Sequence, residues 1–147
     1  MLDAYRDLID GLTEESTTLR DILGEPVPDD LDPAAVTLLQ TVRGRESAVL
    51  RRSQAVMRKE NINLRAIEKE PEVVNAAQSD ETPEQLTAGI ILDRGELVSL
   101  LINLTLKDWE REVPHFVHGE TTLSDEIEEH LSWEEESLDR FREILGK

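Results

Sequence analysis

Apolar residues recur at steps of three and four along most of the chain, which predicts amphipathic helices. Leu2, Tyr5, Leu8, Ile9, Leu12, Leu19, Ile22 and Leu23 mark a first helix over about Asp3–Leu23. Gly24 suits the left-handed position after a helix, and Pro26 and Pro28 block its continuation. A second helix opens at Asp32-Pro33, an aspartate cap followed by a proline in the first turn. Its inward stripe reads Ala35, Leu38, Leu39, Val42, Val49 and Val56, and between Val42 and Val49 it passes through Arg45 and Glu46. Charged residues at inward positions need partners or a ligand.

The pattern then weakens from Asn61 to Glu81, which reads as a long crossover with a short helix around Ile62 to Ile67. Thr82-Pro83-Glu84-Gln85 is a capping box that starts a third helix bearing Leu86, Ile90, Ile91, Leu97, Leu100, Leu101 and Leu104. Thr105-Leu106-Lys107-Asp108 starts a short extra turn carrying Trp109. A loop holding His115, His118 and Gly119 leads to Thr122, the cap of a fourth helix with Leu123, Ile127, Leu131, Leu138, Phe141 and Leu145. In that stripe Glu134 stands where an apolar residue belongs. Four long amphipathic segments and no strand pattern predict one all-α domain over residues 1–147, a four-helix bundle with a long crossover between helices 2 and 3.

Composition narrows the chemistry. Aromatic residues are 3%, so aliphatic side chains must build the core. There is no cysteine, which removes thiol nucleophiles, thiolate-ligated zinc and disulfides. No apolar run approaches a membrane span, and the N-terminus lacks the pattern of a signal peptide, so a cytoplasmic location is expected. The formal net charge of −17 disfavours nucleic acid as a partner. Six of the sixteen basic residues, Arg43, Arg45, Arg51, Arg52, Arg58 and Lys59, fall within seventeen positions. The stretch from Glu120 to Glu143 is strongly acidic. Attraction between a basic and an acidic helix is the expected reading, and a basic ligand groove is the alternative.

The sequence has no glycine-rich phosphate loop, no dinucleotide fingerprint and no paired-histidine zinc motif, and it lacks the Glu-x-x-His pairs on two helices that the di-iron type needs. One resemblance is more specific. The segment from Arg94 to Phe141, through Leu104-Thr105-Leu106-Lys107-Asp108-Trp109-Glu110-Arg111, His115, Gly119 and Thr122-Leu123, is similar to the C-terminal half of DinB/YfiT-like helical bundles. Pro33 to Glu46 resembles the second helix of that family. The resemblance implies a divalent-metal site of three histidines, and the matching positions here are Thr41, Trp133 and Ser137. None is a histidine, so the metal site is expected to be degenerate and no cofactor is expected.

The leading expectation is therefore a non-catalytic, stress-associated binding protein that forms a homodimer, as the resemblance implies. The alternative is a thiol-transferase-like enzyme with zinc, nickel or manganese at a relocated site of Glu46, His130 and Glu134. A third reading makes Glu134 a general base in a closed cavity. Against these stand plainer readings. Glu46 and Glu134 would pair with Arg45 or another basic residue of the second helix, and His130 would be a partly buried helix residue. His115 and His118 would be a solvent-exposed loop pair, with metal or acid–base work as the alternative. Trp109 and Trp133 would line the core or a groove.

Overall fold

The computed structural model describes residues 3–60 and 62–147. Leu2 of the first predicted stripe and Asn61 at the start of the crossover lie outside them. The molecule is mostly helical: α1 (Asp3–Leu23), α2 (Pro33–Met57), α3 (Pro71–Ala76), α4 (Pro83–Ile102), α5 (Leu106–Glu110) and α6 (Leu123–Leu145). A small hairpin, β1 (Glu112–His115) and β2 (Gly119–Thr122), precedes α6. No helix among the described residues is long and apolar enough to cross a membrane.

The helix ends follow the local chemistry of their residues. Gly24 closes α1 at φ +96°, with its N–H donating to the Arg20 carbonyl. Asp32 caps α2 by accepting from the Ala34 N–H, with Pro33 in the first turn. Thr82 and Gln85 form the capping box of α4, and Thr122 caps α6 by accepting from the Asp125 N–H.

Two expectations need correction. The crossover does not carry a helix over Ile62 to Ile67. Leu64 instead makes a parallel bridge to His115, its N–H donating to the Pro114 carbonyl and its carbonyl accepting from the Phe116 N–H. A 3-10 turn at Ile67–Lys69 follows, and the helix comes later because Pro71 opens α3 in its first turn. The second correction is the histidine loop, which is an antiparallel hairpin paired from Glu112↔Thr122 to His115↔Gly119. Its strands have four residues each, too short to show a period of two.

α2 packs against α3, α4 and α6, while α1 packs against α4 and α6. Gly44 admits the crossover: a Cβ there would meet the Val73 Cα at 2.6 Å. The apolar core is in two clusters. One gathers Leu12, Val49, Leu97, Trp109 and Ile127, with Tyr5 stacked on Trp109 at 4.6 Å between centroids. The other gathers Leu19, Val42, Ile90, Leu138 and Phe141. On each of the four long helices, the stripe crosses from one cluster to the other at an ionisable residue: Glu15, Glu46, Arg94 and Glu134.

Candidate functional site

Arg94 follows Ile90 by four residues and precedes Leu97 by three, so helical geometry carries it into the core. Glu46 stands in the same relation to Val42 and Val49, and Glu134 lies four residues from both His130 and Leu138. Arg94, Glu46, Glu134 and His130 are all 2% exposed or less. The Arg94 guanidinium grips Glu46 with a fork, Nε at 2.7 Å from Oε2 and Nη2 at 2.5 Å from Oε1. Nη2 also lies 2.5 Å from Glu134 Oε2, and Nη1 donates to the Leu12 carbonyl at 2.6 Å. His130 Nε2 is 2.8 Å from Glu46 Oε1, so that nitrogen carries a proton toward the carboxylate. One guanidinium thus ties α4 to α1, α2 and α6.

The charges of this layer hold one another in place. Burial alone would raise the Glu46 carboxyl, but the Arg94 charge and hydrogen bonds outweigh it, followed by those of His130. Its pKa falls to about 2. Burial likewise works against the Arg94 cation, and the charges of Glu46 and Glu134 reverse that, holding its pKa above the ordinary value. Glu15 is displaced the other way, to about 9, first by burial and then by its hydrogen bond and repulsion with Glu134. Glu15 Oε2 and Glu134 Oε1 are otherwise buried without partners. A proton kept on Glu15 and donated to Glu134 satisfies both oxygens.

Atoms of Glu46, His130 and Glu134 converge to within 4.8 Å of one another, a spacing suited to a divalent ion. The donor set does not fit one while Arg94 is in place. Its Nη2 lies 2.5 Å from one oxygen of each carboxylate and 3.4 Å from His130 Nε2, where an ion would have to sit. The pairing expected with Arg45 is corrected to Arg94. Consecutive helical residues point about 100° apart, so Arg45 cannot follow Glu46 into the core. Arg45 instead stacks over the Trp133 ring at 4.1 Å.

Of the three positions matched to family ligands, Thr41 and Trp133 border one open hollow beside Arg45. Ser137 is buried and is not part of its lining. The Thr41 hydroxyl donates to the Thr37 carbonyl and the Ser137 hydroxyl to the Trp133 carbonyl, so both are engaged within their own helices. Trp109 is in the core.

A more enclosed cavity of about 180 Å³ lies where α2, the crossover, the hairpin and α6 meet. All three histidines border it, and Glu134 does not. His115 is buried, against the expectation of an exposed pair, because the hairpin folds back onto Leu64; His118 is exposed. His115 Nδ1 accepts the N–H groups of Val117 and His118, which leaves Nε2 as the protonated nitrogen of the neutral ring, 3.9 Å from Glu126. Burial first, then His118, lowers the His115 pKa.

The basic cluster of α2 is mostly consumed by ion pairs. Arg43 meets Asp93, Arg51 meets Glu70 and Glu72, and Arg58 meets Glu60. Arg52, 2% exposed, joins Glu70 and the Arg65 carbonyl of the crossover to Glu126 of α6. Sequence reasoning gave Arg94 and Glu15 no role, and took Arg52 only as one of the basic cluster facing the acidic last helix. The signal for the first two was present, since both interrupt an apolar stripe as Glu134 does. Comparison of the chain with family models, with curated proteins and with solved structures finds no match.

Proposed function

We propose that this chain is a metal-independent, non-catalytic binding protein on a four-helix bundle of the DinB/YfiT-like type, with a guanidinium serving where a metal would cross-link the helices. The observation that carries the reading is the position of Arg94 Nη2, shared between Glu46 and Glu134 beside His130. A fixed cation in the core joins the helices as a metal would, yet offers no open coordination position and no activated water. Binding then falls to the cavity beside this layer rather than to the layer itself. The reading includes a cytoplasmic homodimer, and light scattering at about twice the 16.7 kDa chain mass checks the dimer.

The second reading is the enzyme with zinc, nickel or manganese at Glu46, His130 and Glu134, favoured by the convergence of those three side chains. Elemental mass spectrometry of untagged protein prepared without chelators separates the two. The binding-protein reading expects metal far below one ion per chain and no thermal shift on adding zinc, nickel or manganese. It also expects Arg94→Ala to create a zinc site by vacating the shared position. Near-stoichiometric metal in the unaltered protein, lost in Glu134→Gln, would overturn it in favour of the enzyme.

A further inference from the structure

Arg45 is the unresolved charge of this molecule. It is 7% exposed, and among the described residues it makes no hydrogen bond and no ion pair. Its neighbours on α2 are paired: Arg43 with Asp93, Arg51 with Glu70 and Glu72, and Arg52 with Glu70 and Glu126. Burial works against this cation and lowers the Arg45 pKa, and the charges of Glu129 and Glu68, neither within ion-pair distance, offset that only in part. The Arg45 Cζ lies over the Trp133 ring, a cation–π contact that engages the guanidinium without using its N–H donors. Arg45 borders both the 180 Å³ cavity and the adjoining hollow that contains Trp133.

We infer that this cavity binds a small organic monocarboxylate, with Arg45 as its anchor. The inference rests on the binding-protein reading and names its ligand class. A planar fork of donors matches a carboxylate in two parallel hydrogen bonds. The neutral His115 ring presents Nε2–H at the cavity border, 3.9 Å from Glu126 and therefore without a hydrogen bond to it. His130 Nδ1, on the same border, is also buried without a partner; with the ring proton on Nε2 it is an acceptor, suited to a hydroxyl or N–H on the body of the ligand and not to its carboxylate. Ala66, Ile67 and Val117 give the cavity an apolar side for the body of the ligand.

Charge and size restrict the class. Arg52 is already engaged by Glu70 and Glu126, which leaves Glu68 and Glu129 on the border against Arg45. Two carboxylates against one cation leave that border net negative, so each added negative charge is opposed and only direct pairing with the guanidinium offsets it; a monoanion is opposed less than a dianion such as phosphate. The volume is close to that of apolar protein cavities, about 150 Å³, that accept benzene. A carboxylate on a body of that size fits.

The test uses benzoate, benzyl alcohol and inorganic phosphate as probes, followed by calorimetry and by tryptophan fluorescence, which reports the Arg45–Trp133 stack. The unaltered protein should bind benzoate saturably at one site, with benzyl alcohol and phosphate weaker by roughly tenfold or more. Arg45→Met should weaken benzoate by a similar factor while melting no lower than the unaltered protein, because an unpaired buried cation has been removed. Arg45→Lys, which keeps the charge and loses the fork, should fall between them. Absence of saturable benzoate binding overturns the inference, as does binding unchanged in Arg45→Met or phosphate binding more tightly than benzoate. So does a melting loss in Glu68→Gln/Glu129→Gln that vanishes in an Arg45→Met background, since the chain's own carboxylates would then be the partners. Metal-loaded protein that still binds benzoate through Arg45 would sink the metal-independent reading alone. Metal-free protein that ignores benzoate would sink this inference alone.

Discussion

At the scale of single residues, Arg94 is the side chain on which most of the core's polar order depends. Removing one member of a buried ion network strands the others, at a cost of about 3–5 kcal/mol, while replacing the whole network by apolar groups is often neutral. Arg94→Met should therefore destabilise the fold by about that amount. Glu46→Leu/Arg94→Met/Glu134→Leu should recover most of the loss in denaturant unfolding. A triple variant no more stable than the single one would contradict the account of the layer as a charge-balanced unit. Glu15 supplies a prediction in pH. Its pKa rises from 4.5 to about 9 in the folded chain. The folded state then binds more protons than the unfolded one between those values, so stability falls as pH rises through that window. Glu15→Gln, which keeps a donor for Glu134 at every pH, should flatten the fall, gaining a few degrees of melting temperature near the alkaline end and little near pH 5. Glu46 acts oppositely: with its pKa lowered to about 2, its contribution is present above 4.5 and is lost on acidification toward 2.

At the scale of elements, the cavity exists because two pieces without long helical repeats, the crossover and the hairpin, are brought against α2 and the first turns of α6. Arg52 is the principal tie, reaching Glu70, the Arg65 carbonyl and Glu126 from one buried position. Arg52→Met should loosen the crossover before it unfolds the long helices. Limited proteolysis should show cleavage within residues 62–81 earlier than in the unaltered protein, with helical circular dichroism retained. Simultaneous loss of both would mean that the crossover has no separate stability. This region is also where sequence reading was weakest. The capping boxes, Gly24 and the apolar stripes of the long helices were legible because their signals are local. The Leu64–His115 bridge was not, because it joins residues that only the folded chain makes neighbours.

At the scale of the whole molecule, a formal net charge of −17 makes the folded surface repel itself. The melting temperature should rise as salt is added, most steeply at low ionic strength where the Debye length changes most. A melting temperature that falls with salt would mean that surface ion pairs such as Arg20–Glu84 and Arg43–Asp93 outweigh the repulsion. Helical periodicity by itself determined the four long helices, their caps and the inward placement of Glu46 and Glu134, because each depends on spacing within one segment. Arg94 and Glu15 interrupt apolar stripes in the same way, a signal that sequence reading passed over, and spacing alone gives no reason to put the four groups together. Only the tertiary structure decided that Glu46 and Glu134 share Arg94, that Glu15 faces Glu134 and that Arg45 is left without a partner. The physical reason is that pairing of buried charges is settled by which helices face one another at which level, and no single helix carries that information.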